Sequence, residues 1–534
     1  MLKFFLDGFK INAVFTLASR LTGFIRDIFF AYFLGAGIHS DIFFIASKIP
    51  NLFRRITAEG AFTSSFLPVY SGLFNGKNKK NAEQFSKLIF IILLIFIIIL
   101  TIILEVFMNE LILMIAPGFY ENKELLNQIV ILSRFTILFL PIISIVALFG
   151  AMLNASGKFA PFAFTPIILN ISLICACLFI YKNFNIKSFP LALALPMSGL
   201  IQLLFICFYS FKYKLISKEF FNIFKLKKQM ILKLLKPLNL TMRRFFPAML
   251  SGGIFQINIL VDTLLASFLG VGAVSFLYYA DRLVQLPLGV IGVALGTALI
   301  SSLSRPVILK SRIKTAIQFE KALKICIYFS IPSMLALLYF PEIIVNALFQ
   351  RGNFGIGEAE KTIFALICYS FGIPFLIAIK SCQAVFLASG KTYKIMLISL
   401  FQLIANIILS VILMKYLFHG GIALATSIST FLGCVLYFKL IYNDKKIRIG
   451  KLTLNNDFGL IYLTKYIFVI LFISFLMIIF LKFLIILFDF MDLDISLFYA
   501  FIFAFLGICF FTFITYITKQ IPLELFNNIK KDFL

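Results

Sequence analysis

Eight basic residues of this chain belong to no loop. Arg20, Arg26, Lys48, Arg54, Arg55, Arg134, Arg282 and Lys380 all fall inside apolar stretches, and the first five are crowded into residues 8–72. A cation at the centre of a bilayer costs roughly 2.5–3.5 kcal/mol, so five facing lipid would cost on the order of 12–17 kcal/mol, comparable with the stability of a whole domain. They must face water, a counter-ion or a ligand. The acids inside the same stretches are Asp27, Asp41, Glu59, Asp262 and Asp281, fewer than the bases. The excess calls for an anionic ligand, and arginine suits phosphate because its planar fork donates two parallel hydrogen bonds. Arg20 and Arg26 are six residues apart, which on a helix turns them about 120° from one another and lets them flank a ligand. Asp41, Lys48, Arg55 and Glu59 follow at spacings of seven, seven and four, one stripe of a continuous helix.

The elements that position these groups are membrane spans. The 534 residues are 61% hydrophobic and 13% charged, too apolar for a water-soluble chain of this length. Apolar runs of about 20 residues recur from end to end. The pattern predicts an all-α polytopic membrane protein with about fourteen helices, near 8–33, 41–72, 88–107, 127–153, 159–181, 189–211, 240–268, 273–303, 321–340, 362–388, 394–415, 420–441, 461–487 and 497–518. About 34 of the 49 Lys and Arg residues fall at one set of ends and about 7 at the other, and the positive-inside rule makes the basic side, with both termini, cytoplasmic. Topology thus accounts for the net charge of +26, and no nucleic-acid partner is expected. The eight cysteines lie in apolar runs without a CxxC pair, and read as small core residues.

The chain repeats itself. AYFLGAGIHS (31–40) returns as ASFLGVGAVS (266–275), Asp27 meets Asp262 at the same offset, and ASGK (155–158) returns at 388–391, with Pro141 matching Pro374 and Lys48 matching Arg282. An even number of spans per copy gives two six-helix lobes of the same orientation, the arrangement in which substrates sit between the lobes. The expected domains are residues 1–220, a cytoplasmic linker 221–240, a second lobe 241–445, and 446–534 with two further helices outside the repeat. Asp262, Asn406, Ser410 and Thr426 offer oxygen ligands for a coupling cation. Coupling to protons, or to the membrane potential, worth about 2.3 kcal/mol per charge per 100 mV, would equally reset an empty cationic site. No resident cofactor is expected.

SRLTGFIRD (19–27), DIFFIASKIPNLFRRITAEGAFTSSFLP (41–68) and YYADRLVQLPLGVIGVALGTALISSLS (278–304) strongly resemble the MurJ (MviN) lipid II flippases, within the multidrug/oligosaccharidyl-lipid/polysaccharide exporter superfamily. The resemblance covers nearly the whole chain, and KIPNLFRR followed by AEGAF is its most specific stretch. It implies two lobes around a cationic cavity, with the family's essential arginines at Arg20, Arg26, Arg54 and Arg282 and supporting polar positions at Ser19, Asp41, Lys48, Asn51, Arg55, Glu59, Ser275 and Asp281. It also implies that the two extra helices hold a polyprenyl tail, and that the four oxygen-bearing residues match a sodium site of some relatives. The implied partner is lipid II, an undecaprenyl-diphosphate-linked muropeptide, moved by alternating access from the cytoplasmic to the outer leaflet of a bacterial inner membrane for cell-wall synthesis.

Three rivals remain to be weighed. A drug exporter for organic cations would need an acidic or aromatic cavity rather than a basic one. A flippase for another polyprenyl-diphosphate oligosaccharide fits the charge but not the AEGAF stretch or the extra helices. A membrane enzyme would need clustered carboxylates, and Asp489, Asp492 and Asp494 fall on the outer side; the chain is expected to be a transporter, not an enzyme.

Overall fold

A computed structural model describes residues 2–57, 61–74, 79–180, 186–222, 228–289, 299, 303, 312–443, 460–490 and 497–522. Every regular element among them is helical. Packing divides the chain into two compact units. One is formed by residues 1–275 with 352–354, the other by 276–351 with 355–534.

The helices of the first unit are α1 (Leu2–Leu34), α2 (Ile38–Ala46), α3 (Lys48–Thr57), α4 (Ala61–Phe74), α5 (Lys79–Val106), α6 (Met108–Ile115), α7 (Lys123–Ile137), α8 (Phe139–Ala155), α9 (Ala160–Cys175), α10 (Phe189–Lys212) and α11 (Lys228–Ser267). Helix α12 (Ala273–Pro287) begins in this unit and continues into the second. Then come α13 (Arg312–Tyr339), α14 (Pro341–Phe349), α15 (Ile356–Ser370), α16 (Ile373–Ala388), α17 (Thr392–Tyr442), α18 (Leu460–Phe490) and α19 (Leu497–Ile517).

Among the described residues eight helices are long and apolar enough to cross a membrane, or nine with the pair α15 and α16, bent by 44°. The four expected spans that do not qualify (8–33, 41–72, 240–268 and 273–303) carry intramembrane charge, contain a break or run into residues outside those described. Helix α17, at 51 residues, would be about 77 Å long if straight, more than twice the hydrocarbon core. It is two spans: Phe418 takes φ 47 and ψ −133, and a Cβ on Gly433 would lie 2.2 Å from Gln402 Nε2, so the second half returns alongside the first.

Two departures from the expected helices matter for the site. The span expected over 41–72 is broken at Ser47, between α2 and α3, so Asp41 and Lys48 do not share one uninterrupted stripe. Pro50 lacks the N–H that would bond the Ala46 carbonyl, and Thr136 of α7 supplies the missing donor, its Oγ1 lying 2.7 Å from Ala46 O. The stretch 228–240, expected as linker, is helical and continuous with the seventh span in α11. The packing boundary therefore differs from the repeat boundary, and α11 packs on α4 within the first unit.

The repeat has a conformational counterpart inside each unit. After α8, Gly157 (φ 80) receives the turn while Lys158 N–H bonds Leu153 O at 2.9 Å; after α16, Gly390 (φ 70) does the same and Lys391 N–H bonds Phe386 O at 2.8 Å. Both ASGK segments thus form the same glycine-terminated helix cap, which needs a left-handed residue that glycine adopts without strain.

Aromatic rings fill the cores. In the first unit Phe66 stacks on Phe62, Tyr70 and Phe85, with centroids 5.2–5.7 Å away. In the second, Tyr328 of α13 packs against α19, its hydroxyl 3.0 Å from Thr515 Oγ1, and the Phe480–Phe510 stack joins α18 to α19. Large apolar side chains stay on the outside, among them Ile99, Phe472 and Phe505, as a bilayer solvent requires.

Candidate functional site

Helix α1 carries the two leading arginines in an otherwise apolar segment. Arg26 is locked in place. Its Nε and Nη2 donate to Asp27 Oδ1 at 3.1 and 2.7 Å, its Nη1 donates to Asn170 Oδ1 of α9 at 3.0 Å, and its guanidinium lies 5.2 Å from the centroid of Phe30. The Asn170 amide in turn donates to Ser19 O at 3.0 Å and Thr22 Oγ1 at 3.1 Å. Asn170 was not singled out by its sequence context. The available signal was its place as a polar amide in the apolar run IILNISLI.

Arg20 differs. It is half-buried on α1 and has no hydrogen-bond or ion-pair partner among the described residues. A guanidinium in that position is available to a ligand.

Helix α3 brings Lys48, Asn51, Arg54 and Arg55 together, all half-buried, with Arg54 Nε donating to Asn51 Oδ1 at 3.4 Å. Glu59 lies outside the described residues. Asp41 is fully buried in α2 and holds the start of α12: it accepts from the Gly272 and Ser275 amides, the latter at 2.9 Å, and from the Ser275 hydroxyl. A carboxylate on the leading amides of a helix combines capping with the favourable end of the helix dipole. Asp41 and Ser275 are therefore joined to each other.

In the second unit Asp281 accepts a close hydrogen bond from Gln285, and Arg282 donates from Nη2 to Tyr278 OH at 2.9 Å with its guanidinium over the same ring. Asn406 and Ser410 are buried, and Asn406 Oδ1 lies 3.5 Å from Ser410 Oγ and 3.4 Å from Thr426 Oγ1. Three candidate sodium ligands thus meet within the second unit. Asp262 is in the first, where it accepts from Asn258 Nδ2 at 3.4 Å. Of the remaining intramembrane bases, Arg134 is exposed on α7, as a snorkelling side chain would be, and Lys380 is half-buried on α16.

A family model described as "Lipid II flippase MurJ" matches residues 30–493. The chain belongs to the lipid II flippase MurJ family. Among MurJ relatives, the probable lipid II flippase of Rickettsia prowazekii is 34% identical over 82% of this chain and 84% of its own length. The corresponding Vibrio cholerae protein is 30% identical over 81% and 82%. A solved lipid II flippase MurJ in an inward closed conformation superposes with a TM-score of 0.77 at 25% identity, covering 95% of this chain and 98% of that one. A multidrug transporter of the MATE family shares the fold at a TM-score of 0.65 and 15% identity, covering 80% and 96%. The family match takes in the KIPNLFRR segment of α3 and all of α12, and begins after Arg20 and Arg26 of α1.

Proposed function

We propose that this chain is a flippase that moves the lipid-linked peptidoglycan precursor, lipid II, from the cytoplasmic to the outer leaflet of the inner membrane, with both termini in the cytoplasm. The observation that carries the reading is Arg20: a cation inside an apolar helix, half-buried, to which no group among the described residues binds. Residues 11–72 hold five bases against Asp27, Asp41 and Glu59, so an excess of positive charge persists even with every acid ionised. A diphosphate supplies the balance. In this reading Arg20, Arg26, Arg54 and Arg282 engage the anionic headgroup, with Ser19, Lys48, Asn51, Arg55, Glu59 and Asp281 in support. Asp41 and Ser275 act by holding α12. Helices α18 and α19 accompany the polyprenyl tail. Transport proceeds by exposing the site alternately to either side, with no covalent chemistry.

We further propose that Asn406, Ser410 and Thr426, with Asp262, take a sodium ion that couples transport; neutral oxygens are suitable ligands for such a hard cation. The decisive experiment for the main reading is rescue of a bacterium depleted of its own lipid II flippase. Wild type is expected to prevent lysis, and Arg20→Ala, Arg26→Ala, Arg54→Ala and Arg282→Ala to fail in at least three of the four cases. Full rescue by all four would overturn it.

A further inference from the structure

We propose that Asn170 is a positioning residue, fixing the orientation in which Arg26 meets the phosphate of the carried lipid; this rests on the function proposed above. The amide is almost fully buried, at 5% exposure, in the apolar helix α9. Its two ends do different work. Oδ1 accepts from Arg26 Nη1, while Nδ2 donates to the Ser19 carbonyl and the Thr22 hydroxyl, both on α1. Only one flip of the amide satisfies this set, because a guanidinium has donors and no acceptor. Asn170 therefore grips α1 one and two turns before Arg26 and holds the guanidinium from the same group.

On the opposite edge Asp27 takes Nε and Nη2, and the guanidinium carbon lies over the Phe30 ring. All three guanidinium nitrogens are thereby tied to fixed atoms, and the plane of the fork has one setting. Recognition of phosphate by parallel N–H donors depends on that plane. Gly23 leaves room for the grip: a Cβ there would stand 3.3 Å from Asn170 Nδ2 and 3.8 Å from its Cγ and Oδ1. A residue that could be read as a flexible point is instead the seat on which the amide rests.

A purely structural tie between two helices would affect stability alone, whereas a positioning role couples Asn170 to Arg26 in ligand binding. The test titrates the purified full-length chain with a short-chain isoprenyl diphosphate, with the thermal midpoint measured alongside. Wild type is compared with Arg26→Ala, Asn170→Ala, the double variant and Asn170→Asp. Asn170→Ala is expected to bind about tenfold more weakly, the size of one charge-assisted hydrogen bond. The double variant should bind no more weakly than Arg26→Ala, since partners in one network are not additive. Asn170→Asp keeps the shape and the acceptor but sets a second carboxylate beside Arg26, and is expected to bind more weakly than Asn170→Ala whatever its thermal midpoint. Binding by Asn170→Ala within twofold of wild type, or a loss that adds in full to that of Arg26→Ala, overturns the proposal while leaving the function standing. Unchanged binding by Arg26→Ala overturns both. Should Asn170→Ala fail to fold, Gly23→Ala displaces the amide by a few tenths of an ångström, and unaltered affinity there counts against the role equally.

Discussion

At the scale of single residues, the two arginines of α1 separate into one that is held and one that is available. Arg26 is fixed by Asp27 and Asn170, whereas Arg20 has no internal partner among the described residues. That difference sets the expected response to substitution. Arg20→Ala removes a charge-assisted contact to the headgroup, worth about 1.5–3 kcal/mol or roughly 10- to 150-fold in binding. Arg20→Lys keeps the charge but not the two-pronged geometry, so flipping by proteoliposomes should fall to an intermediate level. Equal flipping by wild type and Arg20→Ala would show that Arg20 only snorkels to the interface. Arg20 stood out in the sequence, because charge inside an apolar run needs no structure to be noticed. Asn170 did not: a neutral amide in a membrane helix has many harmless uses, and only the geometry of its three hydrogen bonds tells them apart.

At the scale of elements, what the sequence disclosed was punctuation and repetition. The ASGK segments announced helix ends, and both helices do end there with glycine in the left-handed region. The spans expected over 394–415 and 420–441 were separable at the short connection between them, which holds Phe418, even though their helical hydrogen bonding runs on into one 51-residue element. The break at Ser47 was hidden, because Pro50 sits in the first turn of α3, where proline is tolerated, and the donor that relieves Ala46 comes from a residue 90 positions away. This arrangement predicts a specific cost. Thr136 is fully buried, so Thr136→Val leaves the Ala46 carbonyl without its donor in an apolar setting and should lower stability by about 1–3 kcal/mol. Thr136→Ser retains the hydroxyl and should recover most of it. Thermal unfolding in detergent compares the two, and equal midpoints for Val and wild type would mean the carbonyl is satisfied in another way.

At the scale of the whole molecule, the chain passes from its first unit to its second within α12, and the start of that helix is anchored in the first unit. Ser267 Oγ, just upstream, accepts from the Gly118 amide at 3.0 Å, and a Cβ on Gly118 would lie 2.2 Å from Ser267 O, so only glycine permits the approach. Residues 352–354 are fastened to the same unit at the end of α1, where Asn353 N–H bonds Tyr32 O at 2.9 Å and its side chain bonds Phe33 O at 2.6 Å. A transporter that exposes its site alternately needs such crossings to be firm in one state and releasable in another. If a sodium ion participates in that release, flipping should rise when an imposed sodium gradient is present, and equal rates with and without it would remove the ion from the mechanism. Asp41 offers the sharper test. Its two oxygens together receive two backbone amides and a hydroxyl from the start of α12. Asp41→Asn is nearly isosteric, but its nitrogen cannot accept, and the loss of charge removes the interaction with the helix N-terminus. One backbone amide is then left without its acceptor, and the loss of a charged hydrogen bond, about 1.5–3 kcal/mol, should speed hydrogen exchange at Gly272 or Ser275 by roughly 10- to 150-fold. Exchange at Gly157, which lies in the cap of α8 in the same unit, should not change. Acceleration confined to the start of α12 would identify Asp41 as the fastening at the crossing, whereas equal protection in both proteins would mean that α12 is held by packing and that the carboxylate is dispensable to it.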